Sequence, residues 1–273
     1  MADEIDEFKP RGLEADPAYL GAFSSWLTRT GRRVAKPAFI QLTYEFTISR
    51  HRRAIEKAFG LSPVQLYGST ESGVLFMECE HGRLHANGAH THAELIDVGS
   101  AADGAGRLAR VVATTLGRRW MPLVRFDLGD IVLLDPDPVA CPCGRDDGPV
   151  IRGVEGRLGD LTWTSLRRPV TPGTIDRALA PIAALEDWQV LQDDPRTVRV
   201  RYVGPESAGS DSAGALASLY GDGEAVRVIA EKVGAIAPET SGKYRRSHAA
   251  FDGSIGTRLS RERGWRAAPG LAT

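Results

Sequence analysis

The sequence predicts an α/β main domain followed by a smaller α+β unit, and three observations carry that reading. Residues 38–67 alternate strand, helix and strand; residues 84–134 hold several short strands separated by Gly and Asp turns; and mixed helical and strand patterns resume after Gly156–Asp160. At about 150 residues per domain, 273 residues suffice for two domains, and 42% apolar with 25% charged residues is an ordinary globular mixture. Lys and Arg number 34 against 35 Asp and Glu, a net charge of −1, so no electrostatic excess points to nucleic acid or an anionic membrane. Met1 to Glu7 is acidic, and no apolar run approaches the roughly 20 residues of a membrane helix. The expectation is a cytoplasmic protein without secretion signal, membrane span or nucleic-acid partner.

In chain order, Tyr19, Phe23, Trp26 and Leu27 have the three-to-four spacing of a short amphipathic helix. Ala38 to Leu42 reads as a buried strand. Ser49 reads as the N-cap of a helix over Arg50 to Phe59, with Ile55 and Phe59 on one face and Gly60 as its stop. Val64 to Tyr67 is the next strand, and parallel pairing follows from the alternation. Strands are predicted at Ala93–Val98, Leu108–Thr114 and Ile131–Leu134. After the boundary, Ile175–Leu179 is predicted helical, Trp188–Leu191 and Val198–Val203 are strands, and Glu224–Val233 is a helix with Val226, Ile229 and Val233 facing the sheet. Gly204 to Gly223, rich in Gly, Ser and Ala, reads as a loop, and the arginine-bearing segment Gly253 to Thr273 as a mobile tail.

Four stretches carry the functional information: Tyr67-Gly68-Ser69-Thr70-Glu71 directly after a predicted strand, Arg125-Phe126-Asp127-Leu128-Gly129-Asp130, Gly156-Arg157-Leu158-Gly159-Asp160, and Ser241-Gly242-Lys243-Tyr244-Arg245. The first places hydroxyl and carboxylate groups at the carboxyl end of a strand, where α/β folds bind ligands. In this order and spacing the four resemble the later core motifs of the adenylate-forming superfamily. With Cys141-Pro142-Cys143-Gly144-Arg145 they resemble the phenylacetate-coenzyme A ligase family in particular, from about Phe8 to Asp252.

The resemblance implies an α/β fold made of part of the adenylate-forming main domain (1–157) with a β-rich subdomain, then a small α+β C-terminal lid (158–252) and a tail (253–273). It implies ATP-dependent activation of a carboxylic acid, typically aryl, as an acyl-adenylate. Tyr67 would stack on adenine; Gly68, Ser69 and Thr70 would lie near the α-phosphate or acyl carboxylate; Glu71 would hold Mg²⁺, a hard ion suited to oxygen ligands. Asp130 would accept both ribose hydroxyls with Arg157 beside it. Lys243 would supply the cation that meets charge growing on the phosphate. The family's lid swings about a hinge after the arginine, where this chain has Gly159 in place of Asp or Lys.

Three departures bear on function. The family's upstream Ser/Thr/Gly-rich phosphate loop has no counterpart here, so the expectation is a fragment, a split-gene subunit or a degenerate relative. A non-catalytic nucleotide-binding subunit, assembling with a separate chain that bears the missing loop or as a homodimer, stays open beside the catalytic reading. Leu166 stands where the family has Gly beside the pantetheine tunnel, which puts transfer to coenzyme A in doubt and makes another nucleophile a credible acceptor. Thr43-Tyr44-Glu45 replaces small residues along the nucleotide. The three cysteines, too few and odd in number for a disulfide framework, match family metal positions. Cys79, Cys141 and Cys143 with His85, or with His81, make a closed tetrahedral set for structural Zn²⁺; buried thiols are the alternative. His90 and His92 read as exposed, and the arginine pairs 32–33, 52–53, 118–119 and 245–246 as solvated faces.

Overall fold

The computed structural model describes residues 1–134, 140–146 and 148–251; the segment expected to form the tail lies outside them. The described residues form two compact units. Counting described residues only, the first lies within Met1–Ala93, Ala113–Val124 and Val139–Val150, and the second within Glu94–Val112, Arg125–Pro138 and the segment 151–251.

The first unit runs α1 (Ala2–Phe8), β1 (Gly12–Ala15), α2 (Pro17–Thr30), β2 (Phe39–Leu42), α3 (Ser49–Phe59), β3 (Val64–Ser69), β4 (Gly73–Glu78) and β5 (Leu84–Ala86). Strands β1, β2 and β3 pair parallel, and β3, β4 and β5 antiparallel. The expected strand–helix–strand unit is therefore present as β2–α3–β3. Helix α2 starts because the Asp16 carboxylate accepts from the Ala18 and Tyr19 amides ahead of Pro17, and it stops at Gly31, whose φ of 70° suits the left-handed C-cap. Its buried face differs from the expected one. Leu20, Gly21, Ser24 and Leu27 turn inward, whereas Tyr19 and Trp26 are 53% and 39% exposed. The reason is a close helix crossing: a Cβ on Gly21 would lie 2.8 Å from His51 Cβ, so the small residue meets α3 while Tyr19 and Trp26 turn outward; Phe23, half-buried, and Leu27 pack on the core as expected. Leu20 and Leu27 then pack with Ile40, Leu42, Ile55 and Phe59 into one core, each buried side chain contributing about 2 kcal/mol. Ser49 is the first helical residue of α3 and not its cap; Ile48, fully buried, holds the N-cap position. Burial of that isoleucine fixes the entry of the chain one residue earlier than hydrogen-bonding chemistry alone suggests. Gly60 ends the helix as expected, at φ 61°.

The second unit contains most of β6 (Thr91–Ser100) and β7 (Arg107–Thr115), with β8 (Phe126–Leu134) and β9 (Val150–Arg157), adjacent in the order β9-β8-β7-β6. The predicted strands of this region all form. Val98, Ala101, Leu108, Ile131 and Leu133 make their shared core. A 3₁₀ turn (Leu158–Asp160) leads into β10 (Thr162–Trp163), β11 (Pro169–Val170), α4 (Pro172–Leu179), β12 (Asp187–Asp194), β13 (Thr197–Val203), α5 (Glu206–Gly221), β14 (Arg227–Lys232) and β15 (Ser247–Ala249). The last four-stranded sheet has the order β14-β13-β12-β15, with β12 and β13 antiparallel and the outer pairs parallel.

Two expectations are reversed here. The segment read as a loop is the 16-residue helix α5, and the segment read as a helix is strand β14. Ala208, Ser212, Leu216 and Tyr220 recur every four residues and are all fully buried, a helical stripe hidden by its small members. Within β14, Val228 and Ile229 are β-branched, which suits a strand, and Val228 pairs opposite Val198 of β13. Among the described residues no helix is long and apolar enough to cross a membrane.

Candidate functional site

In the first unit, the turn after β4 begins at Cys79, whose amide donates to Arg83 O and whose carbonyl accepts from the Gly82 amide. The residue before it is anchored: Glu78 takes both Arg52 guanidinium nitrogens at 2.8 and 3.0 Å and the Gln65 amide at 2.6 Å. His85 lies on β5. Cys141 opens a second turn, closed by Gly144 N donating to Cys141 O, with Gly144 at φ 75°. These two turns bring Cys79, His85, Cys141 and Cys143 together, with ligand atoms all within 4.8 Å of one another. The Cys79 and Cys141 sulfurs are 3.7 Å apart, and Cys143 Sγ lies 3.3 Å from His85 Nε2. A tetrahedron with metal–sulfur arms of about 2.3 Å has edges of about 3.8 Å, so the spacing fits ligation, whereas a disulfide would need about 2.05 Å. Three of the four residues are buried. His81 is exposed in the turn and is not one of the group.

The hairpin between β3 and β4 holds the first motif. Strand β3 continues through Gly68 and Ser69, so only Thr70, Glu71 and Ser72 form the turn. A Cβ on Gly68 would lie 2.4 Å from Gly73 O, which demands glycine at that position. Ser69 Oγ accepts from the Ser72 amide at 3.1 Å and lies 2.9 Å from Ser72 Oγ, fixing the turn from within. Thr70 and Glu71 are exposed. The Tyr67 ring is 8% exposed and stacks on Phe76 at 6.0 Å. Sequence reasoning missed Arg118, whose Nη2 donates to Thr70 O at 3.3 Å; nothing in the pair Arg118-Arg119 distinguishes it from a solvated arginine. Tyr44, in the departing segment after β2, has φ 76° and is 70% exposed. Its hydroxyl donates to Glu14 Oε1 at 2.6 Å, and that bond to a carboxylate pushes its pKa up.

In the second unit, Gly129 at φ 71° turns the chain at the Asp127 carboxylate, which accepts the Gly129 amide and pairs with Arg110. That places Asp130 on β8 directly opposite Arg157 on β9. Arg157 Nε is 3.3 Å from Asp130 Oδ1; the carboxylate side chain is 9% exposed and the guanidinium 57%. Lys243 is exposed after a turn in which Gly242 N donates to Glu239 O and Glu239 N to Lys243 O. The arginines after it are not the solvated pair expected. Arg246 is 2% exposed, ion-paired to Asp187 at 2.5 Å and placed over the Tyr244 ring, because the start of β15 is buried beside β12. Arg245 bonds to Gly159 O and the Asp160 carboxylate. Leu166 is 60% exposed in the turn between β10 and β11, and His90 and His92 are exposed.

No family model matches the chain. Its fold is that of the adenylate-forming enzymes: a 2-hydroxyisobutyryl-CoA ligase in the postadenylation state, in complex with R3-HIB-AMP, superposes with a TM-score of 0.72 at 19% identity, covering 96% of this chain and 58% of that one. The amide bond synthetase McbA from Marinactinospora thermotolerans superposes at 0.64 with 15% identity, covering 95% and 55%. In sequence, the chain is similar to a phenylacetate-coenzyme A ligase of Thermus thermophilus, 27% identical over 171 residues, which are 58% of this chain and 36% of that ligase. The chain thus spans about a third of its curated relative and little more than half of its structural neighbours.

Proposed function

We propose that this chain carries the later part of an acid-activating enzyme, in which a small carboxylic acid, of aryl type, attacks the α-phosphorus of ATP to give an acyl-adenylate and pyrophosphate. The observation that carries the reading is the Asp130–Arg157 pair: a nearly buried carboxylate is held by a half-exposed guanidinium within a fold shared with enzymes captured with acyl-AMP. Main-domain residues 1–157 and a lid of residues 158–252 are the corresponding division. Asp130 accepts the two ribose hydroxyls. Tyr67, backed by Phe76, packs against adenine, and Gly68 leaves room for the nucleotide while Ser69 and Thr70 bond near the α-phosphate. Glu71, exposed and oxygen-bearing, would hold Mg²⁺, which supplies charge neutralisation at the phosphates. Lys243 sets its ammonium where negative charge grows in the transition state. Three thiolates and the His85 imidazole would hold Zn²⁺ as a closed, structural site. Leu166 obstructs a thiol arm where a glycine would admit it, and an acceptor other than coenzyme A fits this position.

Radiolabelled pyrophosphate exchange into ATP across aryl and aliphatic acids tests the reading. Exchange with one acid, lost by at least about 100-fold in Lys243→Ala, is expected; unaffected turnover in that variant would remove Lys243 from the chemistry. Leu166→Gly is expected to raise thioester formation, and no change would remove the steric argument.

A second reading is favoured by one observation. Phe8 on α1, Tyr19 and Trp26 on α2 and Phe39 on β2 are 83%, 53%, 39% and 55% exposed. Such exposed aromatics suit a complementing subunit that seats a separate chain or a second copy. Nucleotide binding without exchange, with exchange restored by a chain bearing the phosphate loop, is the outcome that reading requires.

A further inference from the structure

We infer that Arg245 is a positioning residue that fixes Lys243 relative to the Asp130–Arg157 pair; the inference rests on the acid-activation reading of these groups. The path is short and continuous. Arg157, facing Asp130, leads directly into the 3₁₀ turn Leu158–Asp160. Arg245 closes on that turn twice: Nη2 donates to Gly159 O at 2.8 Å, and Nε meets Asp160 Oδ1 at 3.2 Å. The Ser247 hydroxyl adds a third tie, donating to Asp160 O at 2.5 Å. On its other side Arg245 reaches Glu239, with Nη1 at 4.0 Å from Oε1. Glu239 is the residue that closes the lysine turn, through its amide to Lys243 O and its carbonyl from Gly242 N.

Arg245 therefore bonds the segment after Arg157 with one edge of its guanidinium and faces the residue that closes the lysine turn with another. Only a planar, multidentate cation does both from one side chain. Its own carbonyl is held by Gln189 Nε2 at 2.9 Å, so the backbone from which it reaches is fixed to β12. Lys243 is exposed, two residues from Arg245, and among the described residues its backbone bonds are local to its turn: its amide donates to Ser241 Oγ at 3.4 Å and its carbonyl accepts from the Glu239 amide. A phosphate-directed cation loses effect steeply when displaced by about 1 Å. Removal of Arg245 should therefore reduce turnover while leaving the nucleotide contacts of Asp130 and Arg157 in place.

The test combines amide hydrogen exchange of the full chain with pyrophosphate exchange. In Arg245→Ala the Glu239 and Gly242 amides are expected to exchange at least about tenfold faster, with protection of β12 and β13 unchanged. kcat for pyrophosphate exchange is expected to fall at least about tenfold at an ATP KM within about twofold of wild type, and Arg245→Lys to recover part of the loss. Arg245→Ala with wild-type protection of both turn amides overturns the anchoring, whether or not the chain turns over. Faster exchange spread across the whole β12–β15 sheet with a lowered Tm also overturns it, since the role would then be structural. If Lys243→Ala exchanges pyrophosphate at the wild-type rate, the acid-activation reading of Lys243 fails, and the turn amides still report separately on Arg245.

Discussion

Asp160 shows how a single residue is torn between stability and site geometry. Its side chain is 20% exposed, and burial pushes its carboxyl above the ordinary 3.8, against the pull of the Arg245 and Arg157 guanidinium groups. A folded pKa above the unfolded one means that the folded protein binds the proton more tightly. The favourable contribution is then complete below the unfolded pKa and is lost as pH rises through the folded value. At neutral pH the ionised carboxylate costs stability. Asp160→Asn is expected to be at least as stable as wild type at pH 7 in urea titrations, with the difference shrinking below pH of about 4; a large loss at pH 7 would mean that the arginines dominate. Arg246 makes the opposite case. It is 2% exposed and bonds Asp187 and Trp188 O. Arg246→Ala should therefore cost about 2 kcal/mol, from the loss of a buried side chain and its bonds to a half-buried carboxylate, and a Cm shift below a third of that would contradict the account.

At the scale of elements, the sequence was legible where chemistry is local and misleading where packing decides. Gly60 ends α3, Gly129 turns into Asp130, and the strands of residues 91–134 announce themselves by β-branched residues between Gly and Asp turns. The cysteine turns were legible for a different reason: thiols and an imidazole have few other reasons to recur in that pattern. The α5–β14 region was misread because its helix is written in alanine, glycine and serine. Gly209 explains the composition, since a Cβ there would lie 2.4 Å from Tyr202 Cζ, a ring that is 2% exposed. Gly209→Ala gains about 1 kcal/mol of helix propensity against an overpacking cost of about 1–3 kcal/mol. The net expectation is destabilisation, read as a lower Tm; a more stable variant would show that Tyr202 moves freely. For the cysteine turns, elemental analysis of protein purified without chelator is expected to give one zinc per chain. Chelation should lower Tm, because metal affinity for a site assembled only in the folded chain is folding free energy; a metal-free chain with unchanged Tm would return the three cysteines to buried thiols. The placement of Arg118 and Arg245 was not legible, because an arginine's partner is set by tertiary structure and nothing in its neighbours encodes it.

For the whole molecule, binding and turnover are separable, and the separation decides between the two readings. A ligand that binds only the folded state stabilises it by RT ln(1 + [L]/Kd), about 2.7 kcal/mol at 100 times Kd. AMP and a non-hydrolysable acyl-adenylate mimic are therefore expected to raise Tm in wild type under either reading. Asp130→Asn should abolish the shift, because an amide cannot accept from both hydroxyls of a ribose with its two heavy atoms. Lys243→Ala should retain most of it, because a cation directed at charge that develops in the transition state adds little to the ground state. If wild type and Lys243→Ala bind alike and only wild type exchanges pyrophosphate, the chain is catalytic by itself. If both bind and neither exchanges, the residues of this chain form a nucleotide platform, and the exposed aromatics of α1, α2 and β2 are where the remaining machinery docks. If Asp130→Asn binds as wild type does, the pair on β8 and β9 is a structural ion pair, and the nucleotide site lies elsewhere in the molecule.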